Sequence, residues 1–341
     1  MKKNTVKKLM ALACAGAMAL SLAACGSSND QAGSAGNETG ADGVKIGILQ
    51  YAPHPSLDNC YEGVIKGLEA AGYVDGQNGV SIEFQNANGN AADGDMMAKT
   101  MASSCDMLIA IATPAAMSCY AAAKDDGVPV IYAAASDPIG SGLAKDLDNP
   151  QTGASGTKDA LNLEGQMQMI RALLPEADTI GILYTTSEPN SLAHLKTFQE
   201  LAPNYGFTIE AVGITNESEV ASGAATLVAK GVDCVNNFTD NNVVNNLSTL
   251  LHATDAAGIP VFGSEEEQVR NGCVAAESLD YVTLGEETGR MAAEVLSGAA
   301  DIMTLPVAVV AETSPVYSAA NLEKFGITLP EAYSAALNLD A

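Results

Sequence analysis

Three polar stretches carry residues whose types suit ligand capture: Ser136-Asp137-Pro138, Thr239-Asp240-Asn241 and Ser264-Glu265-Glu266-Glu267. Thr113 before Pro114, and Ser56 after His54-Pro55, belong with them. A carboxylate grips an ammonium group through charge-assisted hydrogen bonds, a role open to Asp240 and Glu265. Hydroxyls beside helix N-termini hold a carboxylate together with the free backbone N–H groups there, which suits Thr113 and Ser56. None of these stretches contains Lys or Arg, and the only arginines in the chain are Arg171, Arg270 and Arg290. A multiply charged phosphate ester would therefore lack a basic clamp. Carboxylate at one end and ammonium at the other describes an amino acid.

Each residue also has a plainer role. Asp240 suits the cap of a helix starting near Asn241, and Thr113 suits a cap before Pro114. Asp137-Pro138 is also simple turn chemistry. His54, between Pro53 and Pro55, belongs to a rigid loop as readily as to a ligand contact. Glu265, Glu266 and Glu267 read equally as a solvated first helical turn. Catalytic constellations are missing: His54, His194 and His252 form no H-x-x-x-H pair. No nucleophile elbow, phosphate loop or dinucleotide fingerprint occurs either. The expectation is a binding protein rather than an enzyme, with no metal and no cofactor.

These residues need loops held at the ends of regular elements. Apolar, β-branched runs at 44–49, 80–84, 106–111 and 128–132 predict buried strands. Helical spacing covers 56–71, 93–104 and 114–124, so strands and helices alternate and a parallel sheet covered on both faces follows. The second half repeats the first at near-constant separation. Thr179-Ile180-Gly181-Ile182-Leu183 echoes Lys45-Ile46-Gly47-Ile48-Leu49, Asp233 matches Asp106, and Gly258-Ile259-Pro260-Val261 matches Gly127-Val128-Pro129-Val130. Two lobes of one α/β architecture are predicted, with the polar loops at the carboxyl ends of the strands lining one cleft. The expected division is 44–155 plus about 281–305 for the first lobe. The second takes 156–280 plus about 306–341, with the hinge.

Of 341 residues, 16 are Lys or Arg and 41 are Asp or Glu, a formal charge of −25. That balance disfavours nucleic acid as a partner. Residues 1–24 have the basic start and the apolar run, too short to span a bilayer, of an export signal. The run closes on Leu22-Ala23-Ala24-Cys25, which resembles a bacterial lipobox, so Cys25 is the expected lipidation site. Residues 25–43 read as a flexible tether. Cys60, Cys105, Cys119, Cys234 and Cys273 remain for the body; wide spacing favours buried thiols and leaves one disulfide open.

Ile46-Gly47-Ile48-Leu49-Gln50 with His54-Pro55-Ser56-Leu57-Asp58 resembles the start of the tryptophan/tyrosine-type substrate-binding proteins of ABC importers. So do Ala110-Ile111-Ala112-Thr113-Pro114, Asp137-Pro138-Ile139-Gly140 and Thr239-Asp240-Asn241. The resemblance runs from about residue 44 to 330. It implies a type I periplasmic-binding-protein fold, two Rossmann-like lobes joined by a three-strand hinge, and an amino acid ligand, aromatic in characterised members. It further implies that the closed form docks on a membrane permease; together with the lipobox, the expectation is a lipid-anchored, extracytoplasmic protein acting as a monomer. A sensory protein presenting its ligand to a receptor kinase would use the same fold. Carried over by motif, the site residues are Gln50, His54, Leu57, Asp58, Thr113, Ser136, Asp137, Asp240 and Asn241. Glu188, Asn190, Glu265 and Asp280 are additions from the second lobe. Ser56, Ser136 and Glu265 depart from the family's usual residues, which bears on the ligand's identity more than on the fold.

Overall fold

The computed structural model describes residues 43–340; the expected signal, Cys25 and the tether to residue 42 lie outside the described residues. The first half alternates as its apolar runs predict. β1 (Lys45–Gln50), α1 (Pro55–Ala70), β2 (Ser81–Asn86), α2 (Ala91–Ala102), β3 (Met107–Ile111), α3 (Thr113–Ala123) and β4 (Val130–Ala133) follow one another. Every residue of β3 is buried, as an apolar strand covered on both faces must be. Pro55 opens α1, where its missing N–H costs little. Asn90 caps α2 by accepting from the Ala92 and Asp93 amides.

β5 (Ala154–Asp159) has no apolar run, yet it lies inside the sheet. Its polar side chains find internal partners instead: Ser155 donates to the Leu305 carbonyl at 2.7 Å and the Thr157 hydroxyl meets that of Thr288 at 2.8 Å. Gly156 is obligatory there, since a Cβ would sit 1.9 Å from the Tyr132 carbonyl oxygen.

The second half continues with α4 (Leu163–Leu173), β6 (Thr179–Thr185), α5 (Pro189–Leu201), β7 (Thr208–Ile214), α6 (Val220–Lys230) and β8 (Cys234–Asn236). Then come α7 (Asn241–Asn245), α8 (Leu247–Ala257), β9 (Val261–Phe262), α9 (Glu266–Arg270), β10 (Ala275–Leu279) and α10 (Tyr281–Leu296). β11 (Ala308–Val310), β12 (Thr313–Tyr317), α11 (Ala319–Lys324) and β13 (Leu337–Asn338) complete the described chain.

The first lobe's sheet has the order β11-β5-β4-β3-β1-β2 and is parallel throughout. The second has the parallel order β7-β6-β8-β9, continued through a Gly263–Ala276 bridge into β10-β12-β13. The internal repeat extends to hydrogen bonds. Asp106 accepts from the Lys45 amide at 2.8 Å, and its counterpart Asp233 accepts from the Asp178 and Thr179 amides at 2.8 Å. The chain crosses between lobes after β5, after β10 and between β11 and β12. The first sheet therefore runs past the expected boundary at 155. It also takes residues 308–310, against the expected place in the second lobe, because β11 pairs with β5 in the register Ala308 to Thr157.

The first core gathers Ile46, Ile48, Leu108, Ile109 and Ile131; the second lobe buries Ile180 and Phe198 on one sheet face and Leu183 and Leu227 on the other. α10 docks on α1 through paired glycines, Gly63 and Gly67 against Gly285 and Gly289. A Cβ at any of the four would lie 2.1–2.3 Å from a facing carbonyl oxygen. Cys60, Cys105, Cys119, Cys234 and Cys273 are all free and buried. Among the described residues, no helix is long and apolar enough to cross a membrane.

Candidate ligand-binding cleft

The carboxyl ends of both sheets face each other across a narrow gap of about 20 Å³, room for about one water molecule. The first lobe supplies His54 and Leu57 from the start of α1, Ala112 and Thr113 from the β3–α3 junction, Ala134 and Ser136 after β4, and Asp159 at the end of β5. The second supplies Asn190, Thr239, Asn241 and Glu265, and Tyr281 enters from the first turn of α10. Ala112 and Ala134 hold left-handed backbone (φ 80° and 55°), a strain of about 1 kcal/mol or more each that clusters at functional sites. Two hydrogen bonds tie the lobes together beside the cavity. His54 Nε2 meets Asn241 Oδ1 at 3.4 Å, and Asn59 donates to Glu267 at 2.9 Å.

Buried polar atoms normally find partners. Here six lining residues present one that has none within the chain: His54 Nδ1, Thr113 Oγ1, Asp159 Oδ1, Asn190 Oδ1, Thr239 Oγ1 and Glu265 Oε2. The Asn241 amide is oriented by its donation to Glu188 Oε2 at 2.7 Å. Its Oδ1 therefore takes the proton of His54 Nε2, leaving Nδ1 as an acceptor. α3 begins without a side-chain cap, so the Thr113 and Ala115 amides at its N-terminus are available to an anion.

The charge pattern is acidic. Burial pushes the Glu265 carboxyl up to about 8, against the Gln268 hydrogen bond and helped by Asp159 and Glu267. Burial also raises Asp159, opposed first by the Ser136 hydroxyl and then by Lys158 and Tyr281; its Oδ2 accepts from the Tyr281 hydroxyl at 3.1 Å. Glu188 rises to about 8 through burial and then the charge of Asp240. Burial lowers His54 to about 4, so the ring is neutral. No Lys or Arg lines the cavity; Lys158 points its ammonium at the Ser136 carbonyl instead. Among the described residues no group of three or more His, Cys, Asp or Glu is placed to hold a metal ion.

His54, Leu57, Thr113, Ser136, Asn190, Asn241 and Glu265 are thus brought to one cavity. The other sequence-selected residues are not. Asp240 is fully buried and already accepts four hydrogen bonds, from Thr185 N (2.6 Å), Thr185 Oγ1 (2.8 Å), Ser191 Oγ (2.7 Å) and Val243 N (3.1 Å). It has no lone pair to spare for an ammonium, so its role is to cap α7 and pin the β6 loop. Asp280 caps α10, Asp137 closes its own turn on the Gly140 amide, and Pro114 only sets the first turn of α3. Gln50 braces the first loop by donating to the Ala52 carbonyl and to Asp58. Glu188 stands behind the wall, accepting from Asn190 and Asn241. Ser56 lines an adjacent groove shared with Glu265 and Tyr281. Asp159 and Tyr281 escaped the sequence reading. Asp159 ends a strand with no apolar pattern, while Tyr281 was adjacent to the selected Asp280 and gave no separate signal.

Twin α/β lobes whose sheet ends meet across a cleft define the periplasmic-binding-protein class, in which lobe closure is the working motion. The chain belongs to the ABC transporter substrate-binding protein family, whose model matches residues 45–337. It is 35% identical over 311 residues to a tyrosine-binding protein of Clostridioides difficile (strain R20291), covering 90% of this chain and 89% of that one. The solved ABC domain from Streptococcus pneumonia in complex with L-Trp is 35% identical, with a TM-score of 0.83 over 86% of this chain and 98% of that one. The ligand-free, open structure of a substrate-binding protein with adhesive properties from Clostridium difficile is 34% identical over the same shares, yet its TM-score is 0.65. At near-equal identity, that gap is what a different lobe angle produces. The lobes here stand closer to the arrangement of the L-Trp complex than to the open form.

Proposed function

We propose that this protein captures an aromatic amino acid outside the cytoplasm and delivers it to an ABC importer, held at the membrane by lipid on Cys25. The observation that carries the ligand class is the set of partnerless polar atoms in one cavity that lacks basic side chains. Asp159 Oδ1 and Glu265 Oε2, from opposite lobes, take the ammonium in place of the Asp240 favoured by the sequence. Thr113 and the open N-terminus of α3 take the carboxylate. Leu57, Ala112, Ala134 and the Tyr281 ring supply apolar wall. The protein performs no bond chemistry; a ligand that fits the closed state shifts the lobes toward it. The relatives that bind tyrosine and L-Trp support the aromatic class.

Thermal shift across the twenty amino acids tests the ligand. At a hundred times Kd, a true ligand adds about 2.7 kcal/mol, which moves the melting temperature by about 5 °C in a protein of this size. Shifts by none of them would end the amino-acid reading. Fatty-acid labelling of whole cells, lost in Cys25→Ala, tests the anchor separately.

A further inference from the structure

A second groove, of about 540 Å³, runs beside the cleft and has the volume of a small-molecule site. Its walls come from both lobes: Ser56 and Asn59 of α1 lie on one side, Glu266 and Glu267 of α9 on the other. Two of the crossings between lobes also line it, through Leu279 and Asp280 and through Val310 and Glu312. With Glu265, five carboxyl groups face this groove and no Lys or Arg does. Three of them are engaged. Asp280 caps α10, Glu267 accepts from Asn59 at 2.9 Å, and Glu266 lies 3.7 Å from Arg270. Glu312 is exposed at the open end.

Acidity alone would attract only a loose cloud of counterions. The Ser56 hydroxyl marks something more specific: it lines the groove, is 1% exposed, and has no hydrogen-bond partner within the chain, although buried polar atoms normally find one. The carboxyls do not converge on a point, since among the described residues no group of three or more His, Cys, Asp or Glu is placed to hold a metal ion. They are spread among the apolar side chains of Leu279, Val310 and Val316. A methylene chain carrying ammonium groups at intervals matches both features, its charges meeting separated acids and its methylenes covering apolar wall. We propose that this groove binds an aliphatic polyamine, with one ammonium on the Ser56 hydroxyl and another on the Glu312 carboxylate. The groove shares Glu265 and Tyr281 with the cleft, but Ser56 and Glu312 line the groove alone, so the proposal does not rest on the amino-acid reading.

Calorimetry with spermidine and, separately, magnesium chloride tests this at about 0.15 M salt, where diffuse attraction is screened. Spermidine is expected to bind the wild-type protein at one saturable site, at least tenfold more tightly than magnesium. Ser56→Ala, which removes a single oxygen, should weaken spermidine about fivefold or more, the worth of a hydrogen bond to a charged group. Adding Glu312→Gln, at an exposed position, should bring the loss to about tenfold or more. Glu69→Gln, on the exposed face of α1 outside the groove, removes the same charge and should leave the affinity within about twofold. Magnesium binding as tightly as spermidine overturns the proposal, as does spermidine uptake that never saturates. So does a double variant that loses no more than Glu69→Gln, because general acidity would then account for the binding.

Discussion

If Glu265 grips the ligand's ammonium, affinity must depend on pH with a definite sign and size. In the closed cleft burial holds the Glu265 carboxyl at about 8, so near neutrality it carries a proton that must leave before the carboxylate can pair with a cation. The groups facing it do not relieve this. Gln268 already donates to Oε1 at 2.7 Å, Asp159 and Glu267 add like charge, and Asp159 is itself raised. Each pH unit below 8 then costs about 1.4 kcal/mol, or tenfold in Kd. Between pH 8, where the group is half ionised, and pH 6, Kd should rise about 50-fold. The ligand's ammonium stays protonated across this window and adds no opposing slope.

Calorimetry supplies both the affinity and the proton count. At pH 7, titrations in buffers of different ionisation enthalpy should show release of nearly one proton per ligand bound. Glu265→Gln should lose the pH dependence and bind about 10- to 100-fold more weakly at pH 8, the worth of a hydrogen bond to a charged group. A Kd constant within threefold from pH 6 to 8, with no proton released, would refute the assignment of Glu265. So would a Glu265→Gln variant that keeps the full slope.

Stability without ligand should follow a related profile. Glu188 and Glu265, raised to about 8 when folded, make the folded state bind more protons than the unfolded chain from about pH 4.5 to 8, which lowers stability as pH rises. His54 and His194, lowered by burial to about 4 and 3, oppose this only below about pH 6.5. Denaturant midpoints should therefore change little between pH 5 and 6.5 and fall between pH 7 and 8.5; a midpoint rising in the upper range would contradict the burial argument. Gly285→Ala, whose Cβ would lie 2.1 Å from the Cys60 carbonyl oxygen, should prise α10 from α1 and cost about 1–3 kcal/mol in urea unfolding; a neutral result would mean the helices separate freely. Asp240→Ala should cost about 3–5 kcal/mol of stability by stripping a buried hydrogen-bonding hub, while the folded fraction keeps its amino-acid affinity within about threefold. A loss of affinity beyond tenfold in folded protein would return Asp240 to the ligand.

What was readable in the sequence follows from how local each signal is. β1, β3, β4 and β6 announce themselves because strands buried on both faces must be apolar over their whole length, and the repeat exposes their pairing into two lobes. β5 does not. Ala-Ser-Gly-Thr-Lys-Asp is buried because its hydroxyls meet the Thr288 hydroxyl and the Leu305 carbonyl, so its fitness for the sheet is invisible within any short window. Asp159 went unseen with it. The opposite error occurred at Asp240. A helix cap and an ammonium grip call for the same carboxylate on the same kind of loop. Only the arrival of Thr185 and Ser191 from another element separates the two, and that convergence is tertiary. The choice of Glu265 from three consecutive glutamates has the same basis: it alone is buried against Gln268 while Glu266 and Glu267 remain more open.

The two carboxyls on either side of the cavity also mean that closure without cargo requires protons in the gap. Asp159 belongs to the first lobe and Glu265 to the second, and the charge of Asp159 adds to the burial that raises the hold of Glu265 on its proton. Like charges brought together in a desolvated gap must either repel or take up protons. On the proposed reading, a ligand ammonium replaces those protons and turns a repulsive contact into a bridge between lobes. The His54–Asn241 and Asn59–Glu267 hydrogen bonds can close the mouth once that bridge forms, but neither of them neutralises the buried acids. Charge in the gap, more than the latch at its rim, then decides when the lobes close. Since a ligand shifts an equilibrium only by its differential affinity for the two states, the ammonium would supply that difference, and the ring would determine which amino acid delivers it.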